Sequence, residues 1–224
     1  MLGLFFPRLC LGCQQGLVPG EQHVCLHCLE GLHRPDLSSL TDNAVARKLW
    51  GRLPLNGAVC LWDFAAGSQV QRIIHQMKYN HHPKACRYLG RQLGRLCQSV
   101  SPGGAVPWDA VAFVPMHRRK YYQRGYNQAE LLAQGVAETL GLPILQAVQK
   151  HLHTGSQTRL SRAARWRNVQ AAFSLRPKAE TLAGKRVLMV DDVLTTGATI
   201  EGAAKPLLQA GVHQIGIAVL ASVV

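Results

Sequence analysis

Val187-Leu-Met-Val-Asp-Asp-Val-Leu-Thr-Thr-Gly-Ala-Thr-Ile200 is the stretch whose reading decides the fold. Its apolar run from Val187 to Val190 is the pattern of a strand buried on both faces, as in a parallel sheet. The run delivers two adjacent carboxylates, Asp191 and Asp192, at its carboxyl end, where α/β sheets hold their ligands. Thr195, Thr196, Gly197 and Ala198 then make a short turn into a helix around Thr199. Backbone N–H groups, hydroxyls and the positive end of a helix dipole together make a phosphate cradle, and Gly197 lets the backbone approach closely. Carboxylates a few residues from phosphate donors suit a ligand with hydroxyls next to a phosphate, such as a ribose 5-phosphate. A Walker B reading of the strand fails, because the chain contains no G-x-x-x-x-G-K-[ST].

On either side of this stretch, strand and helix patterns alternate. Strands are expected over 57–64, 109–114, 144–148, 186–190 and 214–220, and helices over 70–77, 86–100, 127–140 and 198–210. That alternation argues for an α/β fold with a parallel sheet flanked by helices, over residues 57–224. Residues 36–56 read as a connector. Residues 1–35 form a small module of their own.

In that module, Cys10-x-x-Cys13 and Cys25-x-x-Cys28 are eleven residues apart. Two such knuckles can fold back to present four thiolates tetrahedrally, so Cys10, Cys13, Cys25 and Cys28 are expected to bind a structural Zn²⁺. A four-thiolate shell leaves no position for catalytic water. The site is read as a staple for a segment too small for its own core. Cys60, Cys86 and Cys97 fall in strand and helix patterns and read as buried small hydrophobes.

The 224 residues carry 25 Lys and Arg against 12 Asp and Glu, a formal charge of +13. The excess is segregated: residues 70–109 hold six bases against one acid, and 110–170 hold nine against two. An anionic partner is implied: nucleic acid, phosphorylated metabolite or membrane surface. At 47% hydrophobic residues the chain can build a core, which excludes disorder as its main state. No run reaches the ~18 apolar residues that span a bilayer. The start lacks a basic region before its apolar residues, so a cytoplasmic protein without membrane insertion is expected.

The densest basic segment is the loop expected between the strand at 109–114 and the helix at 127–140. Arg118, Arg119, Lys120 and Arg124 place four cations within seven residues, Gly125 permits a turn, and Asn127 can cap the following helix. Forked guanidinium recognition of phosphate oxygens makes a pyrophosphate the natural load for such a loop.

Val-Asp-Asp-Val-x-Thr-Thr-Gly-x-Thr resembles the phosphoribosyl-pyrophosphate (PRPP) motif of type I phosphoribosyltransferases. With the cysteine knuckles and the arrangement between, the whole chain resembles the ComF family, also called GntX. The resemblance implies a type I phosphoribosyltransferase-like sheet preceded by a zinc-ribbon-like module. It implies that Asp191 and Asp192 contact the ribose hydroxyls of PRPP bound with Mg²⁺. Thr195, Thr196, Gly197, Ala198 and Thr199 would hold the 5′-phosphate. Arg124-Gly-Tyr-Asn-Gln128 is similar to the family's Arg-Gly-Phe-Asn-Gln, which makes Arg118–Gln128 the pyrophosphate loop. Gln157 to Ser161, Arg165 and Asn168 resemble a flexible loop, with Arg165 and Asn168 as ligand contacts. Lys78-Tyr79 matches a Lys-Tyr/Phe pair whose lysine faces the cleft. One departure is plain: some relatives carry further CxxC pairs, and residues 36–56 hold no cysteine, so a second zinc site is not expected.

Two functions remain open at this level. One is pentosyl transfer from PRPP to an acceptor that no residue pattern names. The other is an inactive nucleic-acid-binding or protein-interaction factor on the same scaffold. Family membership implies a role in natural competence or in use of DNA as nutrient, with competence proteins as partners. The basic middle could track single-stranded DNA, with Tyr121, Tyr122 and Trp166 as stacking platforms; Tyr126 is expected to pack inside.

Overall fold

The computed structural model describes residues 8–151, 172–176 and 182–223. Its centre is a five-stranded, all-parallel sheet. The strands are β1 (Leu55–Phe64), β2 (Ala110–Phe113), β3 (Ile144–Leu145), β6 (Arg186–Leu194) and β7 (Gln214–Val223), in the order β1-β7-β6-β2-β3. In β6, Met189 lies between Ala112 of β2 and Ile217 of β7. Both faces of the strand are covered, which is why its sequence is continuously apolar.

Alternate residues feed two cores. Leu188 and Val190 face α3 (Gln69–Tyr79), α4 (Pro83–Val100) and α6 (Gln128–Leu140). Val187 and Met189 face α7 (Ala198–Gln209) and the connector. On the first face, α4 and α6 meet through glycines: a methyl group on Gly135 would run into the Arg87 carbonyl oxygen, and one on Gly90 into that of Leu132. Cys10, Leu11, Val24, Cys25 and Cys28 of the knuckle, and Leu32 just beyond α1 (Leu26–Gly31), bury against this same side. Cys60, Cys86 and Cys97 are buried as expected, and burial pushes each thiol up to about 12.

The connector is built into the second face. Asn43 caps α2 (Ala44–Arg47), accepting from the amides of Val45 and Ala46 at 3.0 Å, while its own amide donates to the Ala58 carbonyl at 2.9 Å. Val45, Ala46, Leu49 and Leu53 are buried there with Ile200 and Leu207 of α7.

Three local expectations differ from the structure. The β6 strand runs on to Leu194, so Asp191 is still in register with Val219 of β7. The stretch expected as one strand at 144–148 splits into β3 in the main sheet and β4 (Val148–Lys150), which pairs antiparallel with β5 (Phe173–Leu175). The expected basic loop contains a helix, α5 (Arg118–Arg124), with no buried residue. The His117 side chain caps its start, and Gly125, at φ +80°, closes it by donating to the Tyr121 carbonyl at 2.7 Å. A helix wetted all round has no apolar stripe to reveal it. Among the described residues, no helix is long and apolar enough to cross a membrane.

Candidate functional site

The chain leaves β2 through α6 towards β3, and leaves its neighbour β6 through α7 towards β7. Adjacent parallel strands whose connections depart in opposite directions open a crevice at their carboxyl ends. Here it is a cavity of about 330 Å³. The sequence-expected residues Asp191, Asp192, Thr199, Lys120, Arg124, Asn127 and Gln128 line it, with Lys78 and Lys150.

The two aspartates differ in surroundings. Asp192 pairs with Lys78 at 2.7 Å. Asp191 accepts from the Asp192 backbone N–H at 2.9 Å. Burial first, and then the charge of Asp192, push the Asp191 carboxyl up to about 8 against the pull of that hydrogen bond, Lys78 and Lys150. Two acids that repel each other beside lysines form a site that gains from a cation or from hydroxyl donors. That donor set fits a hard divalent ion.

The turn after β6 is held from behind. Gly197 is in the left-handed region at φ +77°, and a Cβ there would come within 2.5 Å of Leu49. Its close approach is therefore to the connector. As the first residue flanking α7, Gly197 offers no side-chain cap, so first-turn amides are left for a ligand. Arg52 braces the turn: its Nη1 donates to the Thr196 carbonyl at 2.6 Å and to that of Lys48 at 2.8 Å, and its Nε donates to Glu201 at 2.9 Å. Burial opposes ionisation of Glu201, but Arg52 and Lys205 outweigh it and hold its carboxyl below the usual range. Thr195 and Thr196 are exposed, Ala198 is half-buried, and the Thr196 hydroxyl accepts from the Ala198 amide at 3.5 Å.

The basic helix contributes unequally. Lys120 and Arg124 reach the cleft, whereas Arg118 lines a neighbouring cavity and Arg119 lines neither. Arg124 stacks over Tyr79 at 5.1 Å and donates to Gln128 at 3.2 Å. Asn127 ties the end of β2 to the start of α6, donating to the Val114 carbonyl and accepting from the Ala129 amide, both at 3.1 Å. Tyr126 packs inside, accepting from the His82 amide at 3.1 Å and donating to Met77 at 2.5 Å. Arg165, Trp166 and Asn168, with the Gln157–Ser161 stretch, lie outside the described residues.

Sequence reasoning missed Arg52, Lys150 and His117. Lys150 sits at the end of a three-residue strand. Arg52 acts on a turn 144 positions away. Neither carries a motif.

The knuckle forms a second centre. The four cysteine Sγ atoms all lie within 4.8 Å of one another, with Cys13 and Cys25 at 3.7 Å. A tetrahedron of zinc–sulfur bonds of ~2.3 Å has edges of ~3.8 Å. Backbone amides point at the sulfurs: Cys25 N–H to Cys10 at 3.2 Å, Gly12 to Cys10 and Cys28 to Cys25 at 3.4 Å. At Cys10 burial opposes the thiolate, yet the amides of Cys25, Cys13 and Gly12 bring its thiol down to about 7. The geometry fits a tetrahedral metal.

The phosphoribosyl transferase domain family matches residues 123–223. A Salmonella typhimurium protein named DNA utilization protein YhgH is 32% identical over 225 residues, covering 96% of each chain. Competence protein F of Haemophilus influenzae is 39% identical over 110 residues, 49% of this chain and 48% of its own. Among solved structures, the glutamine PRPP amidotransferase of B. subtilis aligns with 63% of this chain and 29% of its own, at 26% identity and a TM-score of 0.42.

Proposed function

This chain belongs to the ComF family, and from that premise we propose that its cleft binds PRPP, or another phosphorylated ribose, with Mg²⁺. One observation carries the reading: the paired carboxylates of β6 and Lys120 and Arg124 of α5 face one cavity at the sheet's switch point. Asp191 and Asp192 take the ribose hydroxyls. The 5′-phosphate lies on the amides and hydroxyls of Thr195–Thr199. The pyrophosphate lies against Lys120, Arg124 and Lys150. Mg²⁺, held through the ligand and the aspartates, supplies charge neutralisation for a leaving pyrophosphate. The residues of the chain orient the anomeric carbon and stabilise the departing anion. The four knuckle cysteines hold Zn²⁺ as a structural staple. In this reading residues 1–35 are the zinc module, 36–56 the connector and 57–224 the phosphoribosyltransferase-like domain of a cytoplasmic protein that serves DNA uptake or use of DNA as nutrient.

A second reading is favoured by a different observation. Tyr121 and Tyr122 on α5 are 46% and 83% exposed amid its cations, which suits a single strand of nucleic acid and needs no catalysis. Thermal melting separates the two. Millimolar PRPP with Mg²⁺ is expected to raise Tm by several degrees, and Asp191→Asn with Asp192→Asn to abolish the shift; no shift sinks the ligand. Binding of a labelled single strand is expected to weaken steeply with salt, and salt-independent or absent binding removes the second reading.

A further inference from the structure

We infer that a second cavity beside the cleft is the acceptor site, and that it takes an anionic acceptor, one carrying a carboxylate or a phosphate. This rests on the PRPP reading above and names the class of its missing partner. The cavity, about 660 Å³, is walled by His117, Arg118, Gln149, Lys150, His151 and Arg176. It joins the cleft along Pro115, Met116, His117 and Lys150, which line both. A molecule seated in it lies next to the ribose of a donor held on Asp191 and Asp192. Its volume is in the range of pockets that enclose small ligands, about 300–1,000 Å³.

The chemistry of the walls is one-sided. Among the described lining residues there are three cations and no carboxylate. Arg118, Lys150 and Arg176 make no ion pair within 4.0 Å among the described residues. The acid that Arg176 does feel is Glu130, whose carboxyl burial pushes up against Arg176's pull. Lys150 is lowered by burial, then by Lys120, and steadied by Asp191. Its ammonium sits over the Phe173 ring at 4.9 Å. Gln149 already donates to Ser174 and Leu175. A neutral heterocycle thus meets spent hydrogen-bond donors and unpaired charge, whereas an anion satisfies the cations.

Arg118 and Arg176 are not surplus pyrophosphate ligands, since neither lines the cleft, whereas Lys150 stands between the two cavities. Arg176, Gln149 and His151 line the second cavity and not the cleft. Arg176 is fixed for its position by its backbone amide, which donates to Ala147 at 2.8 Å, and by a 3.3 Å bond from Nη1 to Gln146.

The test is calorimetric titration of two matched anionic and neutral pairs, nicotinate against nicotinamide and thymidine 5′-monophosphate against thymidine, with and without saturating Mg²⁺–PRPP. The anion of at least one pair is expected to bind about tenfold more tightly than its neutral partner, and Arg176→Gln to erase that gap. Arg176 lies outside the PRPP cleft, so PRPP affinity is expected to survive the substitution, which also shows that the variant is folded. Equal binding of both members of both pairs, or a gap that persists in Arg176→Gln, overturns the inference. So does a short single-stranded oligonucleotide that displaces the anion and loses affinity in the variant. Absence of PRPP binding sinks the donor reading instead, and the titration without PRPP still reads the cavity.

Discussion

Asp191 is a carboxyl in a place that resists its charge. With its carboxyl pushed up to about 8 by burial and by Asp192, the folded chain keeps a proton that the unfolded chain has released above about pH 4. The unfolded state binds fewer protons across that window, so stability falls as pH rises from about 4 to about 8, then levels. Asp191→Asn is neutral throughout. Its Tm is expected to gain on the parent from about pH 5 to about pH 8, by roughly 2–4 °C for each kcal/mol relieved, and a pH-independent difference counts against the assignment. Arg52 works in the opposite sense, since it keeps a buried acid ionised. Arg52→Ala takes the guanidinium away from Glu201, which keeps Lys205 at 3.3 Å. It is expected to cost up to about 3 kcal/mol in urea unfolding, with Glu201→Gln in the same chain restoring part of the loss. If Arg52 also braces the phosphate turn, inorganic phosphate binds more weakly in both variants; unchanged phosphate affinity removes that role.

At the scale of elements, the α4–α6 contact positions the site. Asn127 and Gln128, which line the cleft, stand at the start of α6, and Gly135 sets how near that helix lies to α4. Gly135→Ala should push the helices apart, costing about 1–3 kcal/mol and weakening PRPP binding along with stability. Stability lost with affinity intact would show that α6 moves as a unit without disturbing its first turn. What was legible in the sequence follows the same physics. The β6 strand announced itself because both its faces are buried, and Asp191 and Asp192 because two carboxylates break its apolar run, although the strand itself continues to Leu194. By contrast α5 was hidden because it buries nothing, and β4 because three residues carry no period. Arg52 and Leu49 were invisible because their partners, Thr196 and Gly197, are far away in the chain.

For the molecule as a whole, the knuckle and the sheet domain share a core. Cys28, Val24 and Leu11 bury beside Ile73 and Met77 of α3, the helix that ends near Lys78. Stripping the metal with a chelator is therefore expected to unfold more than the first 35 residues. Melting should begin several degrees lower, on the scale of 2–4 °C per kcal/mol, and PRPP affinity should fall several-fold as Lys78 loses its support. Chelation that leaves both unchanged would mean that the thiols hold the knuckle without metal.

The sheet also closes the chain on itself. Its first strand pairs along its length with its last, and Lys48, just before that first strand, bonds to Ser222, 174 positions later. During synthesis on the ribosome, β1 emerges early and waits for a neighbour that begins only at Gln214. Until then its apolar edge is bare, which invites chaperones and mispairing between nascent chains. The turn after β6 gains its support no sooner, because β6 itself pairs with β7. A ribosome stalled before residue 214 would therefore display an unpaired β1.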